Sequence, residues 1–215
     1  MRVVTWNLFH GRAVPGAGRS LLEEFSAALA GWAWDVALLQ EVPPWWPAPL
    51  ARASGASERH VLTSRNSFPA ARRYVAERWP DLIKSNGGGA NAILVRGDAI
   101  SEHRALVLTQ RPERRVAHGV LLTGEAWVVN VHATAHAPRR ARADVDRARQ
   151  GWAGARTLVF GGDLNLREPL LPGLEHAGGR DVDHLFARGL RPIGPAEVLD
   201  RGRLSDHPPL AASFA

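Results

Sequence analysis

Seven short apolar runs, rich in β-branched residues, recur along the chain: Val3 to Leu8, Val36 to Leu39, Ala92 to Val95, Val116 to Leu122, Trp127 to Val131, Thr157 to Phe160 and Val182 to Phe186. At that length they predict strands, and several are continuous enough to be covered on both faces. Helical patterns lie between them. Ser20-Leu21-Leu22-Glu23 reads as a capping box, after which Leu21, Leu22, Phe25, Leu29 and Trp32 follow helical spacing to a stop between Gly31 and Asp35. A second helix is expected from Pro138 to Ala153, with Arg139, Arg140, Arg142, Asp144, Asp146, Arg147 and Arg149 as a solvated face. Ala70 to Trp79, closed by Pro80, forms a third. Gly87-Gly88-Gly89 and Pro43 to Pro47 read as loops within one domain, because strand-like segments resume around them. Strands and helices in this order predict a single α/β domain over residues 1–215, with sheets carrying the core and helices covering it.

Polar residues able to bind metal or move protons stand in or just after these runs. Val3 to Trp6 leads to Asn7, Ala37 to Gln40 leads to Glu41, and Val128 to Val131 leads to His132. Asp181 and Asp183 bracket Val182, and Leu204 is followed by Ser205-Asp206-His207. The stretch Leu158 to Asn165, LVFGGDLN, adds an Asp and an Asn one residue apart. Strand alternation would send Asp163 and Asn165 to one cleft and Leu164 back to the core. Gly-Gly-Asp is also a good turn sequence. One polar strand end carries no information; six in order suggest a site, because ligands gather where many strand ends meet.

Composition narrows the chemistry. Cysteine is absent, which excludes disulfides and thiolate metal sites and leaves nitrogen and oxygen ligands suited to magnesium, manganese or calcium. The net charge of +6 is almost wholly arginine, with Lys84 the only lysine. That balance favours a polyanionic partner, although a GC-rich coding sequence produces the same arginine excess. No run of eighteen apolar residues or signal-like start is present. The expectation is a cytoplasmic monomer without stable membrane association.

The ordered motifs TWNL, LLQE, NAILVR, VNVH, GGDLN, the VDH of DVDHLF and SDHPPL resemble those of the endonuclease/exonuclease/phosphatase superfamily, over Thr5 to Leu210. That superfamily includes DNase I-like nucleases, apurinic-site endonucleases, inositol-polyphosphate phosphatases and sphingomyelinases. The resemblance implies a four-layer α/β sandwich, two packed and mainly antiparallel sheets flanked by helices. It implies that Asn7, Glu41 and Asp206 ligate a divalent cation, Mg2+ or else Mn2+ or Ca2+, with a possible second site at Asp163, Asn165 and His207. It also implies that Asp163 orients or deprotonates the attacking water and that Asn165 donates to the phosphoryl oxygens. His207 would contact the phosphate with its ring fixed by Asp183, and His132 would stand near the phosphate as a second imidazole. Asn91, Arg12 and Arg114 are candidate substrate contacts, Arg114 within the basic cluster Arg111, Arg114 and Arg115. Trp45 and Trp46 could stack on a base or pack the loop against the core.

Substrate class is less constrained. Basic charge and His132 favour a DNA endonuclease of relaxed sequence specificity. VNVHATAH departs from the apurinic-site branch. GDLNLR resembles the inositol-phosphatase branch, but that branch's Trp-Cys-Asp-Arg element needs a cysteine that this chain lacks. A lipid-headgroup phosphodiesterase would want an apolar docking loop or a basic amphipathic helix, and neither is evident.

Overall fold

The computed structural model describes residues 1–215. In chain order its strands are β1 (Arg2–Asn7), β2 (Val36–Val42), β3 (Ser57–Leu62), β4 (Ala90–Val95), β5 (Ile100–Thr109), β6 (Arg115–Leu122), β7 (Ala126–His132), β8 (Thr157–Asp163), β9 (Glu175–Arg180), β10 (Asp183–Arg188), β11 (Pro192–Val198) and β12 (Leu210–Phe214). The helices are α1 (Leu22–Gly31), α2 (Pro47–Ser54), α3 (Pro69–Arg78), α4 (Pro80–Ile83) and α5 (Pro138–Gly151). The strands form two six-stranded sheets, ordered β11-β12-β1-β2-β4-β3 and β5-β6-β7-β8-β10-β9. Each sheet holds one parallel pair, β1 with β2 and β7 with β8, and the remaining pairs are antiparallel.

Side-chain alternation explains why the central strands are apolar throughout. Val3, Val36, Leu38, Val128 and Val159 pack in one cluster between the sheets. Their neighbours Val4, Ala37 and Leu39 face the opposite way, into a core with Phe25 and Leu29 of α1 and Leu50 of α2. Val129, Leu158 and Phe160 face Ala141, Val145 and Ala148 of α5. Each central strand is thus covered on both faces, which gives the layers helix, sheet, sheet, helix. No helix is long and apolar enough to cross a membrane.

Several local expectations change. The capping box does not form: α1 begins at Leu22 with no side-chain cap bond, and the buried side chain of Leu21 sets its start instead. Pro47 belongs to α2 rather than to the loop before it. Asp144 is not solvated. It is buried, accepting from Thr109 Oγ1 at 2.6 Å and from Thr134 N at 2.9 Å, so it ties α5 to β5 and to the segment after His132.

The sheets also meet through a buried polar network. Gln40 Nε2 donates to Thr5 Oγ1 at 3.1 Å and, across the interface, to Asn130 Oδ1 at 2.7 Å. Asn130 Nδ2 donates to the carbonyls of Leu39 and Ala92, both at 2.9 Å. His118 stands 3.5 Å from Asn130 Nδ2 and 3.2 Å from His103 Nε2. Gln40 Oε1 is left without a partner, but the directional bonds of Gln40 Nε2 and Asn130 Nδ2 fix the register between two layers that apolar packing alone would leave free to slide.

Burial, reinforced by the neighbouring charges of His103 and His60, holds the pKa of His118 well below its ordinary 6.5. As pH falls below 6.5 the unfolded chain takes up this proton before the folded one does. The contribution is therefore neutral above that value and increasingly destabilising below it, with a slope approaching about 1.4 kcal/mol per pH unit. In denaturant titrations from about pH 7.5 to about pH 5.5, His118→Gln is expected to lose less stability than wild type. Equal losses would mean that His118 does not titrate on unfolding.

Candidate functional site

The parallel pairs decide where the site lies. Each brings two strand C-termini side by side: Asn7 pairs with Gln40 at the end of β1 and β2, and His132 with Asp163 at the end of β7 and β8. The inner-face positions that carry Val3 and Thr5 continue to Asn7, and those that carry Val128 and Asn130 continue to His132. The two ends meet across the sandwich, where Asn7 Nδ2 donates to Asp163 Oδ2 at 2.9 Å.

Gly161 and Gly162 let β8 reach this point. A Cβ on Gly161 would stand 2.4 Å from the carbonyl oxygen of His184, and one on Gly162, at φ 132°, would stand 2.0 Å from that of Val131. Asn165 is placed by a turn and not by strand alternation. The strand ends at Asp163, Asn165 has φ 50°, its N–H donates to Asp163 Oδ1 at 3.1 Å, and its side-chain amide donates to the Ala133 carbonyl at 3.1 Å. Leu164 is fully buried as expected.

His207 arrives from the other end of the chain. Ser205 Oγ donates to the Asn7 carbonyl at 2.6 Å and accepts from His207 N at 3.0 Å, while Trp6 Nε1 donates to the His207 carbonyl at 3.0 Å. The serine of the Ser-Asp-His motif is thus a pin onto β1, a role its sequence does not announce. His207 Nδ1 lies 2.7 Å from Asp183 Oδ2, and Asp163, Asp183 and His207 offer ligand atoms all within 4.8 Å of one another.

The electrostatics divide the work. Burial raises the Asp163 carboxyl to about 7, with the charge of Asp183 adding to the effect. Burial likewise raises Asp183. Burial alone would lower His207, but the hydrogen bond and charge of Asp183 outweigh it and hold the imidazolium at about 9. A His207 held that high requires Asp183 to be ionised beside it. The arrangement is therefore an ion pair, His207 with Asp183, next to an Asp163 poised near neutrality.

His132 is different. Burial lowers its pKa well below the ordinary value and the adjacent Arg115 lowers it further. Arg115 Nη1 donates to His132 Nε2 at 2.8 Å, which leaves the proton of a neutral ring on Nδ1. His132 Nε2 is 3.6 Å from Asp163 Oδ2 and 3.9 Å from Glu41 Oε1. Glu41, at φ 49° in an irregular stretch of β2, also lies 3.2 Å from His10 Nε2.

Asn7, Glu41, His132, Asp163, Asp183 and His207 are thus linked through short contacts. Asp206 stands at their rim with an exposed carboxylate, 4.0 Å from His207 Nε2. Asn91 is elsewhere: fully buried in β4, it donates to the Val116 carbonyl at 3.0 Å and braces the sheets. Arg12 lies over the Phe9 ring at 3.7 Å. Arg114 lines a cleft of about 210 Å³ together with Glu41, Arg65, Arg115, His132 and His10. Trp46 is core, 5.5 Å from Phe25, and Trp45 packs against the same cluster, so neither is a free stacking surface. The proximity of His10 to Asn7 in sequence was the one signal for its place here. Nothing in the sequence pointed to Glu113, which accepts from both Arg65 and Arg115.

A hard divalent cation fits this set. The donors are oxygen and nitrogen without thiolate: Glu41 opens into the cleft, Asp206 presents an exposed carboxylate at its rim, and Asn7 Oδ1 accepts only from Phe9 N, at 2.9 Å, which leaves it a second lone pair.

Comparison with known proteins agrees with the fold. The solved structure of an endonuclease/exonuclease/phosphatase from Beutenbergia cavernae superposes with a TM-score of 0.77 at 18% identity, covering 100% of this chain and 71% of that one. TDP2 from Caenorhabditis elegans gives 0.71 at 19%, covering 99% and 74%. A Bacteroides thetaiotaomicron mannosyl-6-phosphatase gives 0.70 at 13%, covering 100% and 99%. No curated protein matches the sequence. The model of the endonuclease/exonuclease/phosphatase family matches residues 4–207, so the chain belongs to that family of metal-dependent phosphoester hydrolases.

Proposed function

We propose that the protein is a phosphodiesterase that cuts DNA internally with relaxed sequence specificity. The observation that carries this reading is the cleft itself: the site opens into a cavity lined by Arg65, Arg114 and Arg115 against Glu41 and Glu113, with Arg114 the one of these cations not paired to a carboxylate and the exposed Lys84 next in sequence to Ser85 of the lining. Cations placed along a groove contact phosphates without reading bases.

In this reading Asp163 takes a proton from the attacking water, a task suited to a carboxyl held near neutrality. His207, kept cationic by Asp183, donates to a phosphoryl oxygen. Asn165 and Asn7 hold Asp163 and the strand end in place, and the second amide N–H of Asn165, beside the one bonded to the Ala133 carbonyl, would donate to the phosphoryl group. His132 presents a neutral ring, and Arg115 behind it supplies positive charge on the leaving-group side. Asn7, Glu41 and Asp206 would hold the divalent cation, magnesium or manganese. When bound, it would stabilise charge growing on the phosphoryl oxygens. A cationic His207 is a phosphate donor and would be a ligand only after losing its proton, which argues against the second ion site containing it.

Supercoiled plasmid, single-stranded DNA, RNA, phosphomonoesters and phospholipid, each incubated with magnesium, manganese or chelator, test the reading. Plasmid nicking is expected, abolished by chelator and weakened steeply by salt. Release of phosphate from monoesters with the plasmid left intact would replace the nuclease with a phosphatase.

A further inference from the structure

Between β3 and β4 the chain makes an excursion, residues 63–89, that forms part of the cleft: Thr63, Ser64, Arg65, Ser85 and Gly89 line the same cavity as Glu41 and His132. Its central helix, α3, buries none of its residues. Phe68 is 80% exposed, Leu82 78%, Tyr74 53% and Trp79 50%. Three aromatic rings and a leucine left open within so short a segment mark a surface that meets something else.

The charge of the excursion says what. It carries five cations, Arg65, Arg72, Arg73, Arg78 and Lys84, against Glu77 and Asp81. Both carboxylates are engaged, Glu77 with Arg73 at 2.7 Å on the helix surface and Asp81 with the Gly18 N–H at 2.6 Å, while Arg65 pairs with Glu113; Arg72, Arg78 and Lys84 are left without a carboxylate partner. Cationic and aromatic residues are neighbours, Arg73 beside Tyr74 and Arg78 beside Trp79, and the Arg78 guanidinium lies 4.5 Å over the Tyr74 ring.

We propose that this excursion is a stacking platform for unpaired nucleotides. Bases would rest on Phe68, Trp79 and the Tyr74 face opposite Arg78 while the backbone between them meets Arg78 and Lys84, so that single-stranded or locally unpaired DNA is the preferred substrate. The proposal rests on the nuclease reading above. Every base offers a flat face to an exposed ring, and guanidinium groups serve both phosphate and ring, a combination that holds a single strand without reading its sequence. Duplex DNA hides those faces within its stack. A membrane surface would call for an apolar face segregated from a cationic one, and here the Arg78 guanidinium lies over the Tyr74 ring.

Binding and cutting are measured separately. Fluorescence anisotropy of a labelled oligodeoxynucleotide, single-stranded or annealed to its complement, is recorded in chelator for wild type and for Phe68→Ala/Trp79→Ala; anionic phospholipid vesicles are assayed by sedimentation. Plasmid nicking is assayed with metal. Wild type is expected to bind the single strand more tightly than the duplex. The double variant should lose roughly tenfold or more of the single-strand affinity while its duplex affinity is unmoved. If wild type nicks plasmid but the variant binds single strands as well as wild type does, the platform falls and the nuclease stands. If wild type neither binds DNA nor cuts it, both fall. Loss of vesicle binding alone would assign the patch to a lipid surface and overturn the proposal. Should the double variant unfold, Tyr74→Ala and Trp79→Ala singly replace it, and unchanged single-strand affinity in both has the same overturning force.

Discussion

Asp163→Asn is expected to lower phosphodiester hydrolysis by at least about 10²-fold while the protein stays folded. The substitution keeps the size of the side chain and an oxygen to accept from Asn165 N, and it removes the one group in the site held near neutrality, at about 7. Stability separates this from a structural defect. Asp163 and Asp183 are buried together, and the charge of Asp183 adds to the burial that raises Asp163. Making Asp163 neutral relieves that repulsion, while the new amide NH2 faces the Asn7 NH2 that donated to Oδ2; the two effects oppose each other, so the melting temperature of the variant should stay near that of wild type. Turnover close to wild type, in protein free of contaminating nuclease, would remove Asp163 from the role of base. A lost activity accompanied by a lowered melting temperature would point to damage in the Asn7 to Asp163 contact instead.

The strands that the sequence pattern missed share one property. β3, β5, β9 and β11 are the four sheet edges, and β3, β9 and β11 leave most of their residues exposed or half exposed. An edge strand buries at most one face, so it carries no continuous apolar run, and it tolerates the prolines of β11 and the paired glycines of β9. β12 escaped for another reason: it is central but short and alanine-rich, and Ala211 and Ala212 pack on opposite faces of its sheet. The seven central runs were legible because covering both faces demands an apolar residue at every position.

The site divides in the same way. Residues that end apolar strands, Asn7, Glu41, His132 and Asp163, announce themselves by breaking a hydrophobic pattern. Arg115 and Glu113 do not, since a basic cluster before a strand looks like surface and the approach of Arg115 to His132 depends on β6 lying beside β7. Asn91 and Asp144 mislead in the same way. Each is a polar residue whose neighbours suggest a surface or cleft, and each is buried by contacts with segments distant in sequence. Gln40 and Asn130 belong to the motifs that carry the family resemblance, yet their side chains join the sheets instead of entering the cleft. A motif is therefore a mixture of residues kept for chemistry and residues kept for the frame, and only the register between sheets tells them apart.

That distinction can be measured for the second carboxylate. His207→Ala and Asp183→Asn are each expected to lower hydrolysis about 10²- to 10³-fold, the usual effect of removing one well-placed donor. Asp183 does not itself reach for the substrate in this reading; it acts through the 2.7 Å contact that fixes the His207 ring and keeps it charged. The two effects must then overlap. Once His207 is alanine, Asp183 has no imidazole to hold, and the double variant should be about as slow as the slower single variant. Independent contributions would multiply instead and give losses near the product of the two. A multiplied loss would place Asp183 in direct contact with the reacting phosphate or with the cation, where its buried and unpartnered Oδ1 is the atom available to do so.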